Sequence, residues 1–226
     1  MKITFLGHAS LLLQFDSYSI LVDPFITGNP KVNDTVSIQE LHPDFILLTH
    51  AHQDHTLDVE AIAGNSNATI ISNYEIAVHY EKKGFNVHPM NHGGTYQAAF
   101  GKVKYVQAVH TSSFADGSYG GQPGGFLLEA GGKSIYIAGD TALTMDMKII
   151  PMQHSLDLAV LPIGDNFTMG IEDAVIASDF VECDKILGYH YDTFGYIEID
   201  HKKAKETFEK AGKTLYLLAI GEQMTL

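Results

Sequence analysis

At 226 residues, 45% hydrophobic and 18% charged, the chain has enough apolar surface for one sizeable core and a composition far from that of disordered segments. Its 27 acidic against 14 basic residues give a formal charge of -13, which repels polyanions and argues against bulk nucleic-acid binding. A lone cysteine, Cys183, excludes an intramolecular disulfide framework and a cysteine-only metal cluster, and reads as a tolerated residue at a helix end.

In chain order, short apolar runs rich in Val, Ile, Phe and Tyr predict strands. They are ITFL near 3, LLLQF near 11, SILVD near 19, FILLT near 45, ATIIS near 68, VKYVQAV near 103, GFLLEA near 125, SIYIAGD near 134, LAVLPIG near 158, KILGYH near 185 and TLYLLAI near 214. Helical patterns fall between them: one over 57–64, and one from Tyr74 to Lys83 with Asn73 as N-cap and Gly84 at the stop. A third runs from Ile171 to Val181, with Glu172 and Asp173 in the first turn where the helix dipole favours anions. The last begins after Asp200, packs Ala204, Phe208 and Ala211, and stops at Gly212. Strands in quick succession followed by alternating helices and strands predict an α/β fold, two mixed sheets between helical layers.

The start, MKITFLGHAS, has a short apolar run broken by Gly7 and His8, and predicts neither a signal peptide nor a membrane span. The expectation is one domain over residues 1–226, cytoplasmic, acting on a small molecule, with no membrane or nucleic-acid partner and with homo-oligomerisation left open. The glycine-rich stretch DGSYGGQPGGF, 116–126, reads either as a hairpin connection or as a loop covering a substrate.

The chemistry gathers at strand ends. FILLT runs into His50, followed by His52, Asp54 and His55; VKYVQAV ends in His110, SIYIAG in Asp140 and KILGY in His190. Ligands of open α/β sheets bind beyond the carboxyl ends of strands, where loops converge on rigid roots. Imidazole and carboxylate are the donors that zinc and its neighbours accept, and seven of them exceed what one four- or five-coordinate ion can use. Two ions about 3.5 to 4 Å apart would use them all. Alternate positions His50 and His52 can converge on one ion, Asp54 and His55 can serve a second, and Asp140 has two oxygens with which to bridge. His42, His79, His88, His92, His154 and His201 read as surface or packing residues.

These motifs resemble the metallo-β-lactamase superfamily: Asp23 in ILVDPF, THAHQDH, His110 in AVHTSS, Asp140 in IAGDT and His190 in LGYHYD. GHAS at 7–10, VDPFITGNP, VHPMNHGGT, YGGQPGGF and LPIGDNFTMG narrow the likeness to a branch of bacterial and archaeal metal-dependent hydrolases related to ascorbate-6-phosphate lactonase. The resemblance implies a four-layer αβ/βα sandwich and a binuclear centre. His50, His52 and His110 would hold the first ion and Asp54, His55 and His190 the second, with Asp140 bridging. It also implies that Asp23 supports the site from beneath, and it leaves His8 either beside the site or in packing.

The implied activity is a metal-dependent hydrolase whose metal-bridging hydroxide attacks a small ester, lactone or related substrate, with Asp54 orienting the nucleophile or shuttling its proton. Zinc is the first expectation for the ions, with manganese, iron, nickel or cobalt as alternatives. A phosphodiesterase or nuclease of the same superfamily is the competing enzyme reading, which the acidic charge disfavours. A metal-binding sensor without catalysis is the competing non-enzyme reading, and no GxSxG elbow supports a serine hydrolase.

Overall fold

The computed structural model describes every residue except Asp16 and Asp34. Two seven-stranded sheets face each other. The first takes β1 (Lys2–Gly7), β2 (Ser10–Phe15), β3 (Tyr18–Val22), β4 (Phe45–Leu47), β5 (Thr69–Asn73) and β6 (Val87–Met90) in sequence order. The second takes β7 (Thr95–Ala98), β8 (Gly101–Gln107), β9 (Gly124–Ala130), β10 (Lys133–Ile137), β11 (Leu158–Pro162), β12 (Lys185–Tyr189) and β13 (Thr214–Tyr216). A final strand, β14 (Gln223–Thr225), returns to pair antiparallel with β1. Each sheet starts with antiparallel neighbours and continues with parallel ones. Parallel strands need crossovers, and those crossovers bring helices onto the outer faces.

Side-chain alternation builds the layers. In β4 and the residue after it, Leu47 points between the sheets, while Ile46 and Leu48 point outward against the buried faces of α2 (Val59–Ser66) and α3 (Tyr74–Glu81). In β10, Ile135 and Ile137 face inward and Tyr136 faces the layer of α4 (Ile171–Phe180) and α5 (His201–Lys210). A period of two thus feeds three apolar clusters, one between the sheets and one under each helical layer. The expected αβ/βα sandwich is the observed architecture.

Several expectations move by a few residues. The helix expected over 57–64 begins at Val59 and runs to Ser66, and a separate helical turn, α1 (Gln53–Thr56), precedes it. Asn73 caps α3 as expected, its side chain accepting from the Ile76 amide at 2.9 Å. The TLYLLAI run stays in strand only to Tyr216, because the chain then crosses to the first sheet, turning at Gly221 (φ 84°). Strands β6, β7 and β14 carried no sequence signal: VHPM contains a proline, and TYQA and QMT are too short to show alternation. Cys183 follows α4 and is buried in the cluster beneath it.

The glycine-rich stretch is tied down by hydrogen bonds. Asn73 donates to the carbonyls of Gly120 and Gln122, and the Gly120 amide donates to Ser112. Gly124 and Gly125 already belong to β9. A Cβ at Gly120 would collide with the Ala51 side chain, so this loop packs directly on the segment that carries His50 and His52.

Candidate metal centre

The segment after β4 is held on all sides before it presents a single candidate ligand. The Leu48 amide donates to Ile71, the Thr49 amide donates to Asp23 Oδ1 at 2.8 Å, and the Ala51 amide donates to Ser112 Oγ. The Thr49 carbonyl accepts from the Gly124 amide and, at 2.7 Å, from the Tyr105 hydroxyl. His50 and His52 therefore leave an immobilised extended stretch. The chain then turns at His52, the N-cap of α1, and the helical turn sends Asp54 and His55 in another direction.

The later strands add one group each. His110 lies beyond β8, Asp140 beyond β10 and His190 directly after β12. The first two loops are stitched together: the Val109 amide donates to Thr141 Oγ1 and the Ala142 amide to the Val109 carbonyl. His190 adopts φ 55°, a left-handed conformation uncommon for a non-glycine residue, and its amide donates to the His8 carbonyl at 2.8 Å.

All seven predicted candidates meet in one place, in overlapping groups. One donor atom each from His50, His52 and His110 lie within 4.8 Å of one another; so do atoms of His8, Asp54, His55 and His190, and of His50, His55 and Asp140. Asp140 stands between the first two groups. Its Oδ2 is 3.5 Å from His110 Nε2, 3.9 Å from His50 Nε2 and 3.0 Å from His190 Nε2, and its Oδ1 is 3.4 Å from His55 Nε2. His8, left open by its sequence context, joins the group of Asp54, with Nε2 3.1 Å from Asp54 Oδ2.

The hydrogen bonds around the rings assign their protons. Asp23, fully buried at φ 42°, receives the Thr49 hydroxyl at 2.6 Å and His55 Nδ1–H at 2.9 Å on the same oxygen. Having donated to Asp23, the Thr49 hydroxyl accepts from His50 Nδ1–H at 3.0 Å. The His50 ring consequently turns an unprotonated Nε2 inward, the form that binds a metal ion, and the bond to Asp23 leaves Nε2 as the inward atom of His55; outer partners of this kind orient metal-bound imidazoles. His50 Nε2 lies 3.0 Å from His52 Nδ1, and Thr111 Oγ1 lies 3.3 Å from His52 Nε2.

Burial sharpens the point. His50, His55, His190 and Asp140 are buried, whereas His52, His110 and Asp54 are half-buried and mark the open side. His55 Nε2, both nitrogens of His190 and Asp140 Oδ1 have no hydrogen-bond partner among the described residues, although the His190 and Asp140 side chains approach to 3.0 Å. Buried polar atoms of this kind cost about 1–3 kcal/mol each when unpaired. His55, His190 and Asp140 each aim one such atom at the same space, a demand that a bound cation would meet, and a mixed nitrogen and oxygen donor set fits divalent transition ions.

The electrostatics agree. Burial holds the His50 imidazole well below its usual range, and His52 and His110 are lowered for the same leading reason, so all three favour the neutral form that metals bind. For His55 burial acts in the same direction, but the carboxylates of Asp140 and Asp23 on either side outweigh it and raise the ring well above its usual value. Burial would raise Asp140, yet the facing His190 and His55 hold it well below the carboxylate range. Two carboxylates around one imidazole thus make a seat for positive charge, whether a proton or a metal ion supplies it.

The remaining histidines stay outside these groups. His79 stacks on Phe114, His88 on Tyr96 and His92 on Tyr105, while His154 meets Glu129 and His201 meets Asp192. Sequence reading missed the supporting oxygens of Thr49, Thr141 and Thr193, ordinary residues in a linear scan, while Thr111 and Ser112 carry their position directly after His110 as their one signal.

A family model described as a β-lactamase superfamily domain matches residues 2–190, a span that includes every candidate ligand. A metal-dependent hydrolase of Christiangramia forsetii is 69% identical over 226 residues, and one of Flavobacterium johnsoniae is 65% identical over 226 residues; each match covers 100% of both chains. Among solved structures, a metallo hydrolase of the hyperthermophilic archaeon Ignicoccus hospitalis superposes with a TM-score of 0.89 at 30% identity, over 99% of this chain and 97% of the other. An isothiocyanate hydrolase from Delia radicum gut bacteria shares the fold, with a TM-score of 0.77 at 20% identity over 100% of this chain and 99% of that one.

Proposed function

The chain belongs to the metallo-β-lactamase superfamily and is one of its metal-dependent hydrolases; from that premise we propose a binuclear enzyme that hydrolyses a small ester, lactone or related molecule. The observation that carries the binuclear reading is the position of Asp140, one carboxylate between two groups of donors, with its Oδ1 unpaired and within 3.4 Å of His55 Nε2. His50, His52 and His110 would hold one ion, and Asp54, His55 and His190 the other, with Asp140 shared. Two such ions, zinc by the donor set or another first-row divalent metal, would lower the pKa of water from 15.7 toward about 7 and polarise the substrate's scissile oxygen.

The chain's own residues set the direction of the reaction. Substrate approaches from the side of His52, His110 and Asp54, because the other candidate ligands are buried. Asp54 is held below the usual carboxylate range: burial opposes this, but the His8 hydrogen bond and the His55 charge outweigh it, so the carboxylate is ionised at neutral pH. Placed at the open edge, the ionised carboxylate accepts a hydrogen bond from the attacking water and orients it toward the scissile centre. Asp23 and Thr49 keep the His55 and His50 rings from rotating during that attack.

The net charge of -13 supports a small substrate over a polynucleotide. The test is metal analysis of protein purified without chelators, followed by assays on lactones, thioesters, β-lactams and bis-p-nitrophenyl phosphate. Two ions per chain with turnover of lactones or esters is the expected result. Activity confined to the phosphodiester would replace the substrate class, and one ion per chain would replace the binuclear centre.

A further inference from the structure

The ring of His8 has more in common with the candidate ligands than a supporting residue requires. We propose that His8 is a fourth protein ligand of the ion held by Asp54, His55 and His190, an inference that rests on the binuclear reading above. Its Nε2 belongs to a set of four donor atoms, one from each of these residues, all within 4.8 Å of one another. The side chain is fully buried, so water does not satisfy that nitrogen from bulk solvent. The ring centroid lies 4.1 Å from that of His190 and 5.5 Å from that of His55, and Phe25 and Phe194 pack edge-on at 5.5 Å each, fixing its plane.

The ring is tethered on both sides. Its inward Nε2 lies 3.1 Å from Asp54 Oδ2, where Nε2–H donates to the carboxylate, and its outer Nδ1 lies 2.9 Å from Thr193 Oγ1. An ion beside Nε2 and Asp54 would take the place of that proton, leaving Nδ1–H to donate to the Thr193 hydroxyl. The outer bond is also the one seen at the other rings: His50 gives Nδ1–H to Thr49 and His55 gives Nδ1–H to Asp23.

The backbone carries a second, independent sign. His8 and His190 share the left-handed conformation, both at φ 55°, and are joined by the bond from the His190 amide to the His8 carbonyl. Non-glycine residues adopt this region rarely and keep it where surrounding structure enforces it, most often at functional sites. Here the paired turns deliver two imidazoles from different sheets to the same point.

The experiment is equilibrium dialysis of the full chain against Co²⁺, with the visible d–d bands as a second readout, for the parent, His8→Gln and Thr193→Val. Glutamine still donates to Asp54 but removes the imidazole nitrogen. The expected result is two Co²⁺ per parent chain, loss of about a hundredfold or more in affinity for one of them in His8→Gln with altered bands, and about a tenfold loss in Thr193→Val. Parental affinity for both ions and unchanged bands in His8→Gln would overturn the proposal while leaving the binuclear reading intact. A parent chain that binds one Co²⁺ would overturn both, and the stoichiometry tells the cases apart. If circular dichroism shows that metal-free His8→Gln does not fold, Thr193→Val decides, and an unchanged affinity there counts against the proposal.

Discussion

The two groups of candidate ligands are built differently. His50, His52 and His110 open toward solvent through two half-buried rings, whereas of His8, Asp54, His55 and His190 only Asp54 reaches it. The open trio carries imidazoles alone, each favouring its neutral form. The deep group mixes imidazoles with Asp54 and is flanked by the Asp23 and Asp140 carboxylates. The difference separates two tasks: the open trio leaves room for a substrate, while the deep group fixes charge where water is excluded and electrostatic interactions are strong.

Removing the element common to both groups should have the largest effect. Asp140→Ala is expected to lower occupancy of both ions and to reduce turnover by about a thousandfold or more, measured by metal content and single-substrate kinetics. Retention of two tightly held ions would remove the bridging role and with it the link between the groups.

Loosening chiefly the deep group comes next. Asp23→Asn keeps the shape but weakens the direct bond to His55 Nδ1–H, whereas His50 is reached only through Thr49, so the deep ion should lose about 10–100-fold in affinity and the open ion less, read by competition with a chelating dye. Equal loss at both ions would mean that the groups are not separately supported.

The smallest effect is expected behind the open trio. Asn73→Ala removes the α3 cap and frees the carbonyls of Gly120 and Gln122, which should cost about 1–3 kcal/mol of stability in urea unfolding. Affinity of the deep ion should stay at the parental value, because these bonds brace the loop that packs on Ala51.

Legibility in the sequence followed locality. His50, His52, Asp54 and His55 stood out because four donors share six positions after an apolar run, and His110, Asp140 and His190 because each follows such a run. Strand ends were readable since β-alternation and run length are local quantities. The helical turn that separates Asp54 and His55 from His50 and His52 was not, because four residues are too few to show a helical period. His8 stayed undecided for another reason: the partner that orients it, Thr193, lies 185 residues away.

The sequence by itself determined the layered α/β architecture, the donor types and their placement beyond strands, since apolar periodicity and residue chemistry are written along the chain. Only the tertiary structure decided that Asp140 stands between two groups, that Asp23 and Thr49 assign the protons of His55 and His50, and that His8 enters the deep group. Those are relations between backbones of different strands and sheets, set by how two faces pack, and no linear spacing encodes the distance between atoms that only folding brings within 4.8 Å.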